Sequence, residues 1–209
     1  MSARPTVVIL DYGSGNLRSA QRALARVGAD VTVSANSDEG LRAHGLVIPG
    51  VGAFGACMQG LHRIDARNLV EQRLADERAV LGVCVGMQVL FTDSQESPDT
   101  PGLELWSGTV RRLQAPVLPH MGWNKVDSAG DSALLRGLDR ERFYFVHSYA
   151  VTEWSPRQGS PPAQVSRSRH GEEFLAVVEQ GALAATQFHP EKSGDVGLEL
   201  LRNWVTSLN

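Results

Sequence analysis

The feature that most narrows the fold is the alternation of short apolar runs with helical patterns through the first half of the chain. TVVIL (6–10) reads as a buried strand. LRSAQRALARVGA (17–29) reads as an amphipathic helix with Leu17, Ala20, Leu24 and Val27 on one face and a stop at Gly28. DVTVSA (30–35) alternates as a strand, GLVIPG (45–50) is a second buried run, and 54–77 is helical. AVLGVC (79–84) is the next strand, and GMQVLF (86–91) opens a helix. Strands apolar on both faces need helices on both faces. The spacing therefore predicts parallel βαβ units in a three-layer α/β fold around a central, mostly parallel sheet.

The second half changes character. TVRRL, VLPHMGWNKV, RFYFVHSYAVT, EFLAVVEQ and LAATQFH are strand-like runs between turn-rich loops, which predicts an antiparallel or mixed extension of that sheet. SGDVGLELLRNWVTSL (193–208) reads as a closing amphipathic helix capped by Ser193 or Asp195. TDSQESPDTPG (92–102) reads as an exposed loop. A length of 209 residues suits one domain, 1–209.

Composition excludes several classes of function. The chain is 42% hydrophobic and 21% charged with a net charge of −3, so it lacks the basic footprint of a nucleic-acid binder. Arg111-Arg112 and RSRH (167–170) read as solvated faces. Two cysteines make no disulfide framework and point to a reducing, cytoplasmic setting. The apolar run before Asp11 is too short for a signal-peptide core, and no run is long enough to span a membrane.

Within AVLGVCVGMQ, Cys84 stands between Gly82 and Gly86 where a strand gives way to a helix. That is the spacing of a nucleophile elbow with a thiol in place of a hydroxyl. The turn is expected to hold the sulfur in the open at the carboxyl edge of the sheet. It also sets the sulfur at a helix N-terminus that favours thiolate, and aims the Val85 N–H toward a developing oxyanion. Cys57 lies inside a helical pattern with no such turn and reads as packing.

A thiol nucleophile needs a base and the base an orienter. QFHPEKS offers His189 and Glu191, with Pro190 between them pushing His189 into the extended region; two residues apart, the pair faces the same side. His147, on an apolar strand, reads as a satisfied core residue, and His44, His62 and His170 have no partner motif. No cluster has metal-ligand spacing, so neither metal nor cofactor is expected.

PGVGAFG (49–55) follows a buried strand. Gly50 and Gly52 allow close approach of backbone N–H groups, so the N–H of Val51 or Gly52 is the expected second oxyanion donor. The same glycines make a peptide flip cheap. The loop can therefore rest with one N–H turned away. DYGSGNLRS (11–19) lacks the third glycine of a dinucleotide fingerprint, since Arg18 stands there.

PGVGAF, GVCVGMQ and QFHPEKS together resemble the class I (triad) glutamine amidotransferases along almost the whole chain. DYGSGNLRS and PHMGWN (119–124) look like the branch of that family formed by the glutaminase subunits of imidazole glycerol phosphate synthases. The resemblance implies hydrolysis of L-glutamine, with ammonia passed to a separate (β/α)8-barrel cyclase as heterodimer partner in histidine biosynthesis. It implies Cys84 as nucleophile, His189 as general acid and base, and Glu191 as orienter. Gln88, Gly50, Val51, Gly52, Val85 and the His147-Ser148-Tyr149 segment would bind glutamine. Asn16, Met121, Gly122, Trp123 and Lys192 would face the cyclase. Val85 stands where that family more often has Leu. Three other readings stay open: the glutaminase subunit of another pathway, such as anthranilate or pyridoxal phosphate synthesis, a stand-alone thiol hydrolase or γ-glutamyl peptidase, and a binding module with a degenerate site.

Overall fold

A computed structural model of the chain describes residues 4–128 and 130–208. Residues 1–3, part of the stretch read above for a leader, lie outside the described residues. The strands are β1 (Thr6–Leu10), β2 (Asp30–Ser34), β3 (Gly45–Ile48), β4 (Ala79–Val83), β5 (Asp93–Ser94), β6 (Ser107–Arg112), β7 (His120–Lys125), β8 (Arg142–His147), β9 (Tyr149–Ala150), β10 (Trp154–Ser155), β11 (Gln164–His170), β12 (Glu172–Gln180) and β13 (Leu183–Thr186). The helices are α1 (Leu17–Arg26), α2 (Ser37–Arg42), α3 (Phe54–Arg63), α4 (Ala66–Ala75), α5 (Val85–Gln88) and α6 (Gly194–Thr206).

Seven strands form the main sheet in the order β11-β12-β13-β4-β3-β1-β2. β2, β1, β3, β4 and β13 run parallel, and β12 and β11 extend the sheet antiparallel. The α/β architecture is thus as the alternation predicts. Side-chain alternation explains the layers: Val47, Leu81 and Val83 face a crevice shared with Ala20 and Leu24 of α1 and Leu201 of α6, whereas Leu46 reaches toward Gly40 of α2 and Leu69 of α4. Each fully buried Leu or Ile contributes about 2 kcal/mol.

Several elements differ from the sequence reading, each for a local reason. The 54–77 helix is broken, because Asp65 takes a left-handed conformation (φ 49°) between α3 and α4. α2 was not expected, although Asn36 caps it, its side chain accepting from the N–H groups of Asp38 (2.8 Å) and Glu39 (3.3 Å). The helix opening after Cys84 is a single turn. Of the second-half strands, only β11, β12 and β13 join the main sheet; β7 and β8 make a separate antiparallel ribbon, and β5, β6, β9 and β10 a further small one. The stretch 92–102 contains β5 and a buried Ser94. Arg111 is no solvated charge: its guanidinium grips Glu172 and donates to Thr152. Ser168 is likewise buried. Among the described residues, no helix is long and apolar enough to cross a membrane.

Candidate active site

The carboxyl ends of β4 and β13 lie side by side, with Val83 opposite Thr186. Cys84 N–H donates to the Thr186 carbonyl at 2.8 Å, so the chain leaving β13 runs directly past the thiol. Parallel register therefore brings Gln187 and His189 to Cys84 across a long stretch of sequence. Open α/β sheets place their sites at this edge.

Cys84 itself sits at φ 56°, ψ −112°, a conformation that costs a non-glycine residue on the order of 1–3 kcal/mol. Tight packing holds it there. A Cβ on Gly86 would collide with the Ile48 carbonyl, and one on Gly50 would collide with the Gly86 nitrogen. The 49–52 loop and the elbow thus touch backbone to backbone, a contact only glycine permits.

The sulfur is not in the open. Cys84 is 3% exposed and forms part of the floor of a cavity of about 370 Å³. The other walls of that cavity are the His147–Tyr149 corner at the end of β8 and Glu96 from the segment after β5. The one-turn α5 confines any helix-terminal field to that turn.

His189 Nδ1 and Glu191 Oε1 are 2.8 Å apart, and both side chains are buried. The pairing does not come from extended-chain alternation. His189 is extended (φ −101°, ψ 98°), but Pro190–Lys192 is a 3₁₀ turn that curls Glu191 back beneath the ring. Burial disfavours the imidazolium, yet hydrogen bonding to Cys84 and to Glu191, and the charges of both, outweigh it and raise the His189 pKa to about 9. Ser193, expected to cap α6, uses its hydroxyl on this turn, donating to the His189 carbonyl (2.7 Å) and accepting the Tyr144 N–H (2.9 Å). Its neighbour Asp195 lies in the first turn of α6.

The same cavity is lined by Val51, Gly52, Val85, Gln88, His147, Ser148, Tyr149 and Lys192, while Gly50 lies against the elbow behind it. Gln88 is buried and donates to the Tyr149 carbonyl (2.8 Å) and to Gln187 Oε1 (3.1 Å). Val51 N–H donates to Ser14 Oγ (3.4 Å), and the Val51 carbonyl accepts from Ser14 Oγ (2.8 Å). Cys57, fully buried, lies 3.2 Å from Ser14 Oγ and 3.5 Å from the Val51 carbonyl.

Of the residues proposed for the docking face, Met121 (63% exposed) and Trp123 (52%) project outward, as does Lys192. Gly122 between the first two has φ 131°. Asn16 lines the crevice beside Gly50, His189 and Glu191. Val117 and Val51 are the other exposed large apolar residues among those described.

Three residues at or beside the site escape the sequence reading. Gln187 donates to Cys84 Sγ at 3.8 Å; it lies two before His189, so strand periodicity pointed to it. Glu96 enters from a segment read as exposed loop; its carboxylate accepts the Phe54 N–H (2.8 Å) and borders the cavity. His120 contacts His147 from β7. His44 and His170 also have partners, Thr6 and the Val117 carbonyl. Among the described residues, no group of three His, Cys, Asp or Glu side chains is placed to hold a metal ion.

The family model for glutamine amidotransferase class-I matches residues 8–208. The chain belongs to the class I glutamine amidotransferases. Within that family of enzymes it is 60% identical over 205 residues to imidazole glycerol phosphate synthase subunit HisH of Mycolicibacterium paratuberculosis, covering 97% of this chain and 98% of that one. It is 57% identical over 210 residues to the HisH subunit of Thermobifida fusca, covering 98% and 100%. Solved structures share the amidotransferase fold at low identity. One glutamine amidotransferase crystal structure has a TM-score of 0.70 at 20% identity, over 96% of this chain and 97% of that chain. The PurLQS structure from Thermotoga maritima has a TM-score of 0.72 at 16% identity, over 99% and 100%.

Proposed function

We propose that this amidotransferase is, as a single domain, the glutaminase subunit of an imidazole glycerol phosphate synthase. It hydrolyses L-glutamine and hands ammonia to a (β/α)8-barrel cyclase, which makes imidazole glycerol phosphate and AICAR from PRFAR in histidine biosynthesis. The observation that carries the reading is the convergence of Cys84, His189 and Glu96 on one cavity of about 370 Å³, with Glu191 paired to His189 behind it. Full-length identity to HisH subunits supports the pathway, and two free cysteines fit a cytoplasmic enzyme.

The Cys84 thiolate attacks the side-chain amide carbon of glutamine, with Glu96 facing the substrate's ammonium end. The tetrahedral oxyanion is held by the Val85 N–H and a donor from the 50–52 loop, each worth roughly 3 kcal/mol. His189, protonated through the neutral range, gives its proton to the departing nitrogen as the C–N bond breaks. The neutral imidazole then takes a proton from water, whose oxygen attacks the thioester carbon; glutamate leaves and the thiolate is restored. Glu191 fixes the His189 ring through both steps.

Ammonia loses its nucleophilicity when protonated in bulk water, so it passes directly through the docked interface formed around Asn16, Met121, Gly122, Trp123 and Lys192. The bond from Val51 N–H to Ser14 supports a resting state in which the second oxyanion donor is turned away. The ligand-bound cyclase completes the hole by flipping that peptide. The test compares glutamine-driven with ammonia-driven product formation in the complex. Cys84→Ala should lose only the glutamine-driven reaction; equal loss of both, or of neither, contradicts the proposal.

A further inference from the structure

A line of hydrogen bonds runs from the ribbon that carries the outward-facing Met121 and Trp123 to the sulfur of Cys84. Asn124 Nδ2 meets His120 Nε2 at 3.2 Å. His120 Nδ1 meets His147 Nε2 at 3.0 Å, the two residues being directly opposed in the β7–β8 pairing. His147 Nδ1 meets the Tyr149 carbonyl at 3.0 Å. Gln88 Nε2 donates to that same carbonyl and to Gln187 Oε1, and Gln187 Nε2 donates to Cys84 Sγ.

The direction of each bond follows from its fixed end. A carbonyl only accepts, so His147 Nδ1 carries the hydrogen and its Nε2 is an acceptor. His120 must then donate from Nδ1 and accept at Nε2. Asn124 supplies that last hydrogen, because its amide is already oriented: Nδ2 donates to the Arg169 carbonyl (2.9 Å) and Oδ1 accepts the Lys125 N–H (2.8 Å). Every position closes only if both imidazoles are neutral Nδ1–H tautomers. Burial, reinforced by neighbouring histidines, favours this by lowering His120 to about 4 and His147 to about 3. The His120 ring is clamped flat, stacked on Phe145 (4.8 Å between centroids) and on His170 (4.2 Å). The His170 ring is tied in turn to the Val117 carbonyl at 2.7 Å.

We infer that His120 is a positioning residue for the glutamine reaction: it locks His147 and the Tyr149 carbonyl, and with them the Gln88–Gln187 bridge that ends on the Cys84 sulfur. The inference rests on the proposed glutaminase reading of the cavity. His120 lies outside the lining of that cavity and acts only through His147. Strand alternation puts it on the inner face of β7 while Met121 and Trp123 occupy the outer face. The docking ribbon and the substrate wall are therefore one hydrogen-bonded unit.

The test has two arms on the intact complex. Long-range ¹H–¹⁵N NMR of histidine-labelled wild type should show His120 and His147 as neutral Nδ1–H tautomers at neutral pH; an Nε2–H tautomer at either overturns the inference. In kinetics, His120→Phe keeps the ring stack and removes both hydrogen bonds. It should raise KM for glutamine about ten-fold or more, as loosening the wall that binds the substrate does, with ammonia-driven turnover unchanged. His120→Asn returns an N–H toward His147 and should recover most of that loss. Unchanged glutamine KM in His120→Phe, or equal impairment in His120→Asn, overturns the inference. Wild type with no glutamine turnover would instead sink the reading of the cavity, and the tautomer arm would still report on His120.

Discussion

Arg73 and His189 are two buried cations at opposite ends of the same sheet, and they are stabilised by opposite means. Arg73 lies at the amino ends of β3 and β4, fully buried, donating to the carbonyls of Gly40, Ala43, His44 and Ala79. Burial lowers its pKa to about 10, with the charge of Arg78 adding to the effect. His189 lies at the carboxyl end, where Cys84 and Glu191 raise its pKa despite burial. Carbonyl dipoles hold a charge without offering a proton acceptor, so Arg73 is a fixed strut that ties α2 to two strands. A carboxylate and a thiol around an imidazole leave a proton that can move. On the proposed reading, one edge of the sheet is built to stay and the other to react.

Removing each cation should separate these roles. His189→Gln should lower glutamine-driven turnover by about 10⁴-fold or more, as loss of a triad base does, with some loss of thermal midpoint as well because buried Glu191 loses its partner. Assays with glutamine and calorimetry on the same preparation check both halves. Glu191→Gln should come next, at roughly 10²- to 10⁴-fold in kcat, and it adds a pH signature. On the proposed mechanism turnover needs protonated His189, so it should decline as pH rises through about 9. Without Glu191 the folded-state pKa falls, and that alkaline limb moves to lower pH. The linked stability has the same sign: His189 contributes fully below its unfolded value near 6.5 and loses the contribution as pH rises through about 9.

Arg73→Met should invert the pattern. It takes a donor from the carbonyls of Gly40, His44 and Ala79, Ala43 keeping that of Arg78, and should cost roughly 3 kcal/mol of stability, seen as a lower denaturation midpoint, with kcat per folded molecule unchanged. The smallest effect is expected at Ser14→Ala. Losing a hydrogen bond of about 1 kcal/mol to the Val51 peptide should raise partner-free glutamine turnover about five-fold, measured against partner-saturated turnover, which should not rise.

The same contrast explains what was legible in the sequence. Features written in local spacing were readable: the β1–β4 alternation, the Gly82-Cys84-Gly86 turn, and Pro190 between His189 and Glu191. Features that depend on which strands become neighbours were not. Gln187 reaches Cys84 only because β13 pairs with β4, and His120 reaches His147 only because β7 pairs with β8. Burial of the thiol was missed for the same reason, since its walls come from segments far along the chain. Arg73 gave no signal at all, because an arginine on a helix ordinarily faces water and only the packing of α4 against α2 turns it inward.

The two cysteines offer the most direct test, because they lie under the same 49–52 loop and only one stands at the elbow. Rapid quenching of the complex during glutamine turnover, followed by peptide mass spectrometry, should find a γ-glutamyl thioester on Cys84 and none on Cys57. A glutamyl group on Cys57, or steady turnover with Cys84 never modified, would contradict the account.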